Sequence, residues 1–344
     1  MYSGAVRGAR AQPQGAEGAP PAKSSPGESE AAGRRAAAEV GPPDYGPQGV
    51  RDSFTLNEGQ GMLSYRFVGT FMDDNRSGQK RLDASEVFAK GFSLVPTRLD
   101  ARLHLIGGMY APHDRLTFSV HLPVFDLEMR YRNESGPNFT TRSSGVGDLQ
   151  VTGLVPFMKK GQETLHLHLG LSIPTGSILV DEGTPLGKLR LPYSMQLGSG
   201  TWDVMPGGTY RGQKGRGSWG LQATGVLHLG KNDLGYSLGD RYEITGWLGW
   251  HFRRWLDLSF RLAWNDWGNV KGRDPDLVET RSPVEDADRQ EGERLDLGPE
   301  LRLTLPGLPG QQLSIETLFP VYQHLDGPQI ETDWILSAGW QWVF

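Results

Sequence analysis

From about residue 61 to the C-terminus, apolar and polar side chains alternate in short segments. Residues 163–174 are the clearest case. Leu165, Leu167, Leu169 and Leu171 share one parity, and His166, His168, Gly170 and Ser172 share the other. A helix would scatter these leucines around its circumference, whereas a strand sorts them onto one face. Residues 99–110 set Leu99, Ala101, Leu103 and Leu105 against Asp100, Arg102 and His104. The same pattern recurs at 61–72, 115–130, 146–157, 201–211, 218–229, 241–252, 255–266, 294–305 and 312–322. In the final segment, 333–344, Trp334, Leu336, Ala338, Trp340, Trp342 and Phe344 share one parity. Asp333, Ser337, Gly339 and Gln341 take the other, with Ile335 and Val343 as exceptions. The pattern predicts about twelve strands.

The links between these segments alternate in length. Long ones (73–98, 132–145, 175–200, 230–240, 267–293, 323–332) interleave with short ones (111–114, 158–162, 212–217, 253–254, 306–311). A soluble sandwich gives no reason for that regularity. An even number of strands with long loops at one rim and tight turns at the other is what an outer-membrane barrel requires. The fold class expected is therefore all-β: a transmembrane antiparallel up-and-down β-barrel, with extracellular long loops and short periplasmic turns. Its last strand is expected to close the ring against residues 63–71. Tryptophans and tyrosines near strand ends, among them Trp202, Trp219, Tyr242, Trp250 and Trp255, suit interfacial girdles. Residues 1–60, rich in Pro, Ala and Gly, lack any sustained period and read as a disordered segment preceding a barrel domain over 61–344.

Composition narrows the class. The 344 residues carry 35 Lys+Arg and 40 Asp+Glu, a formal charge of -5, which disfavours a nucleic-acid binder. No run approaches the ~20 apolar residues of a spanning helix, but a barrel hides its hydrophobicity in every second residue. With no cysteine, neither a disulfide framework nor a thiolate metal site is available. The reading implies the outer membrane of a Gram-negative cell, outer-membrane lipid and the barrel assembly machinery as partners, a monomer, and a small-molecule solute. An apolar leader core is not evident at the start, so the reading also needs a misassigned start or a leader upstream.

Assigning the leucine-rich parity to lipid puts polar side chains in the lumen: Arg102, Asp148, Gln150, His228, Glu243, Arg261, Glu300, Arg302 and Glu316, with Asp257 and Asp296 nearby. So many charges require pairing or water. A salt-bridged closed lumen and an aqueous channel both meet that condition. His166 and His168, with His104 or His121, are weak candidates for a metal, since spacing fixes no third ligand. Asp73 to Gly78 opens like a calcium loop, yet Ala84 stands where the bidentate glutamate belongs. Glu86 compensates only with altered geometry, and a polar turn into a short helix at 84–89 is the preferred reading. No nucleophile elbow or phosphate loop is present and no cofactor is implied, so the chain reads as a non-enzyme. A membrane-embedded hydrolase, a metal-associated barrel, a structural barrel with a closed charged lumen and a soluble sandwich are the competing readings.

Several short motifs carry a resemblance. S-G-V-G-D-L at 144–149, G-L-S-I-P-T-G-S at 170–177, L-P-Y-S-M-Q-L-G-S-G-T-W-D at 191–203 and the terminal E-T-D-W…G-W-Q…F are involved. Together they resemble the transporter-like outer-membrane barrels grouped with the meta-pathway phenol degradation family, over residues 63–344. The resemblance implies an outer-membrane barrel that moves small hydrophobic or aromatic compounds; some relatives resemble proteins associated with metal handling. Gly145, Gly147 and Asp148 match one shared motif, and Ser199, Gly200, Thr201, Trp202 and Asp203 another. Both lie at loop-to-strand transitions, where they are expected to set loop 175–199 in or over the pore. Trp340, Trp342 and the terminal Phe344 resemble an assembly signal.

Overall fold

The computed structural model describes residues 46–344. The reading of the first 45 residues as disordered lies outside them. Strands β1 (Gly61–Gly78), β2 (Leu94–His113), β3 (Leu116–Asn133), β4 (Phe139–Val146), β5 (Leu149–Lys160) and β6 (Glu163–Ile173) build one half of the wall. The other half is β7 (Trp202–Lys214), β8 (Gly217–Leu229), β9 (Arg241–Arg253), β10 (Leu256–Trp267), β11 (Gly292–Thr304) and β12 (Gln311–Val343). Each pairs antiparallel with the next, except that β4 and β5 stack end to end against β3 as one interrupted crossing. The 33-residue β12 crosses twice. Its first part pairs with β11 and its second with β1, from Met62↔Val343 to Phe71↔Trp334 and beyond. The ring is thus an all-β closed antiparallel barrel of twelve crossings, with both ends of the wall at one rim. Closure removes every edge, so the backbone groups are satisfied without water. Among the described residues no helix is long and apolar enough to cross a membrane; the strands do so.

The rims differ as the link lengths demand. β5 and β6 turn at Gly161, and β7 and β8 at Gly215, with φ of 62° and 60°. That left-handed conformation suits glycine in two-residue hairpins. At the opposite rim the long loops fold onto one another. Leu191, Met195 and Val284 from two loops pack on the inward-facing Leu94, Leu99, Leu127, Met129 and Tyr131 of β2 and β3. Tyr193, Tyr236, Val270 and Ala287 join a second cluster. Helix α1 (Ala84–Phe88) begins at a capping box in which Asp83 and Glu86 exchange hydrogen bonds. Glu86 is a capping residue here, as the non-calcium reading requires.

Alternation sorts the two faces. Leu165 to Leu171 and the other odd residues of β6 point outward, Leu169 being 61% exposed, while His166 and His168 are buried inside. β2 departs from the expectation. Its register sets His104 beside the outward Phe67 and Arg102 beside Gly69, so both lie on the outer face. Tyr65 hydrogen-bonds His104 there at 2.8 Å, and Arg102 pairs with Asp126 at 2.9 Å. Leu99 and Leu105 point inward instead. The leucine-rich parity is the lipid parity only where the lumen is polar. Behind β2 the lumen is packed with apolar groups, and the parity inverts.

Residues 46–60, placed in the unpacked segment by composition, enter the lumen. Val50, Phe54 and Leu56 are each about as buried as a core side chain, at 4%, 5% and 4% exposure. Residues 46–56 form a plug in the half of the barrel nearer the short turns, and Gly59 and Gln60 lead from it into β1 through backbone bonds with Ala111.

Candidate functional site

The plug is held by its backbone. Glu300 accepts from Gln48 N at 3.0 Å, Arg302 donates to the Gly46 carbonyl at 2.9 Å, and Arg66 donates to the Gln48 carbonyl. Gln222 donates to Arg51 O and His166 to Asp52 O, each at 2.8 Å; Leu56 N donates to Thr117 at 3.1 Å. Side chains add to this. Ser314 donates to Gln48 Oε1 at 2.6 Å, Arg51 donates to Gln150, and Asp52 faces His121 Nε2 at 3.3 Å. The Arg211 guanidinium sits 5.7 Å from the centre of the Phe54 ring. Buried peptide groups need partners, and here the barrel wall supplies them from side chains rather than from a ladder. The plug is therefore bound to the barrel without being part of it.

One wall of the lumen is an ion-pair field. Arg261 grips Glu316 in two parallel bonds of 2.8 Å, and Glu243 stands 3.9 Å from the same guanidinium. Arg302 lies 3.5 Å from Asp257, which also meets His251 at 2.6 Å, and Arg294 pairs with Asp296 at 2.9 Å. Pairing of this kind is the condition for keeping charge out of water. Gly49 of the plug passes directly over the Arg261–Glu316 pair. A Cβ there would sit 2.1 Å from Glu316 Oε2 and 2.7 Å from an Arg261 nitrogen.

The second polar cluster lies where β4 stops and β5 starts. The Asp148 carboxylate accepts from Gly176 N at 2.8 Å, Ser199 N at 2.7 Å and Ser199 Oγ at 3.0 Å. Ser199 Oγ is also 3.1 Å from Asp203, which binds Thr201 Oγ1 at 2.6 Å and His228 Nδ1 at 2.8 Å. Both ends of the 174–201 loop are pinned by this chain of bonds. Farther out, Arg190, held by Asp181 of its own loop (2.6 Å), ties that loop to the 268–291 loop through Asp274 (3.0 Å) and Asp276 (3.1 Å). Hydrogen bonding from Arg190, with Lys188 helping, holds the Asp181 carboxyl below the usual aspartate range. The loop's Leu191 and Met195 consequently sit in the outer mouth.

Of the residues expected in the lumen, Asp148, Gln150, His228, Glu243, Arg261, Glu300, Arg302 and Glu316 face inward, and Arg102 does not. Arg261, Glu316, Glu243, Glu300 and Arg302 come together around the plug; Asp148 and His228 meet through Ser199 and Asp203; Gln150 meets the plug alone. His166 and His168 have ring centres 6.0 Å apart, and His121 reaches them only through Asp52, while His104 is on the other side of the wall. Among the described residues no group of three or more His, Cys, Asp or Glu converges to hold a metal ion. The sequence reading missed Gln48, Gly49, Arg51 and Asp52. The one signal they offered is the spaced apolar set Val50, Phe54 and Leu56 inside a Gly/Pro-rich stretch.

Comparison with known proteins identifies the family. Residues 91–266, just over half of the chain, match the family described as putative MetA-pathway of phenol degradation. The chain belongs to that family. No curated protein matches it. Among solved structures it is similar to the COG4313 outer membrane channel from Pseudomonas putida F1, at 15% identity and a TM-score of 0.61. That match covers 89% of this chain and 100% of the other. The KdgM porin (10% identity, TM-score 0.40, 82% and 99% covered) and the β domain of the Bordetella autotransporter BrkA (14%, 0.43, 83% and 99%) are more distant. The fold is thus that of an outer-membrane β-barrel, and the closed ring with its leucines turned outward places the chain in the outer membrane. Lipid bathes its outer face, and the barrel assembly machinery inserts it.

Proposed function

We propose that this member of the phenol-degradation family is a channel for small hydrophobic or aromatic solutes, closed by a displaceable plug formed by residues 46–56. The observation that carries the reading is the way the plug is bound. Wall side chains grip its peptide groups, and no ladder joins it to a strand. At twelve crossings the bore is wider than the roughly eight-strand interior that wall side chains fill by themselves, and the separable insert is what closes the remainder. The apolar lining under the outer mouth (Leu99, Leu127, Met129, Tyr131) and the family description support an apolar cargo.

Planar-bilayer recording on wild type and a Gly49→Leu/Asp52→Ala variant tests this. The leucine collides with Glu316, and the alanine removes the contact with His121. Wild type is expected to conduct weakly, and the variant several-fold more, with unchanged heat-modifiable gel mobility. Absence of conductance in both would favour the competing reading, a structural barrel closed by its Arg261–Glu316 field.

A further inference from the structure

Nearly every arginine facing the lumen has a task in the interior. Arg66 and Arg302 hold plug carbonyls, Arg261 holds Glu316, and Arg294 is shared between Asp296 and Thr332. Arg241 is different. It opens β9 on the inward parity, with Val226 and Trp267 as its register neighbours on either side. Its side chain is exposed although it belongs to the inner face. Among the described residues it makes no hydrogen bond or ion pair, and the charge nearest in effect is another cation, Arg294, already committed to Asp296. With Arg294 neutralised by Asp296, Arg241 is left as a free, solvent-facing guanidinium on the inner wall.

A solvent-facing guanidinium without a counter-charge is hydrated, and an anion that replaces this water gains charge-assisted hydrogen bonds. Guanidinium presents a planar fork that matches a carboxylate in two parallel bonds. The neighbours of Arg241 on the inner wall are Trp267, whose ring lies over Gly292, on one side and Val226 on the other. An apolar body attached to the carboxylate finds surface to cover there. Glu243, two residues along the strand and half-exposed, would repel a second negative charge. We infer that Arg241 is a luminal binding site for small monocarboxylates with an apolar or aromatic body, met by solutes on their way through the outer half of the barrel. This inference rests on the channel reading for its route of entry, and Arg241 touches no part of the plug, so the two can be tested apart.

The test is titration calorimetry on the detergent-folded full chain with benzoate and with its neutral isostere benzamide. Wild type is expected to bind benzoate and to bind benzamide at least tenfold more weakly. Arg241→Gln is expected to lose benzoate affinity at least tenfold, and Arg241→Lys, which keeps the charge without the fork, to lose part of it. Equal affinity for benzoate and benzamide in wild type overturns the site without recourse to any variant. Equal benzoate affinity in wild type and a folded Arg241→Gln overturns it too. Conductance without benzoate binding leaves the channel and removes the site; benzoate binding without conductance does the reverse.

Discussion

At the scale of single residues, the lumen is a problem of charge. Arg261 and Glu316 are 7% and 2% exposed at their side chains, and each satisfies the other. Removing one leaves the other buried without a counter-charge, which typically costs about 3–5 kcal/mol, whereas replacing both by apolar groups of similar volume is often close to neutral. Arg261→Met is therefore expected to lower stability by about 3–5 kcal/mol, and Arg261→Met/Glu316→Leu to recover most of it. Urea unfolding of the refolded barrel, followed by tryptophan fluorescence, measures both; an unrecovered double variant would mean that shape, not charge, governs the site. These partners were legible only as a group. Period-two spacing put Arg261, Glu300, Arg302 and Glu316 on one face, but pairing depends on register across three strands, which no linear spacing encodes. Arg102 and His104 went astray for a different reason. Their strand's inner face is lined by Leu99 and Leu105 against cap and plug, so hydrophobicity no longer identified the lipid side.

At the scale of elements, the strands and their order were readable because the lipid and the lumen impose opposite demands on alternate residues. The loops were not, because they obey no period. The 174–201 loop shows what they conceal: a short hairpin (Asp181–Thr184 with Gly187–Arg190) whose Arg190 reaches three aspartates in two loops. This gives the cap a dependence on pH. Asp181 is held below its ordinary value of 3.8, first by the Arg190 hydrogen bond. A depressed carboxylate stabilises the fold above its unfolded value, and the contribution is lost as pH falls through the folded one. Hydrogen exchange in residues 181–190 is therefore expected to stay slow at pH 5 and to accelerate only well below pH 3.8. In Arg190→Gln the onset should move up toward the ordinary value. Loosening of the hairpin between pH 6 and 5 in wild type would assign its order to something other than this ion pair. The plug is the larger loss at this scale. Its Gly/Pro composition resembles that of an unfolded segment, and its order comes from side chains that the wall lends it.

At the scale of the whole molecule, everything depends on closure, and closure is made by the last residues. Phe344 N donates to Gly61 O and Gly61 N to Phe344 O, each at 2.9 Å, and Trp342 packs on Phe344 with ring centres 4.8 Å apart. Trp340 donates its indole N–H to Gln311 at 3.0 Å, joining the two crossings of β12. The pairing of residues 63–71 with the terminal strand followed from the alternating pattern once the strands were counted, since an even number of crossings returns the last strand to the first. Whether the terminal aromatics also serve recognition during insertion can be separated from their packing by magnitude. An arginine or lysine on the lipid face costs about 2–4 kcal/mol at the bilayer midplane and about 0–1 kcal/mol near the interface, and an aspartate less. Phe344 sits at the rim, so Phe344→Asp is expected to refold in vitro with nearly wild-type stability. In cells the same variant, or Trp340→Asp/Phe344→Asp, is expected to give a several-fold weaker heat-modifiable band in the outer-membrane fraction. Leu169→Arg, at the middle of β6 and 61% exposed to lipid, should show the opposite behaviour. It is expected to lose about 2–4 kcal/mol in vitro while still being delivered to the assembly machinery. If Phe344→Asp reaches the membrane as well as wild type, the C-terminal stripe is only a wall of the barrel, and insertion must read another part of the chain.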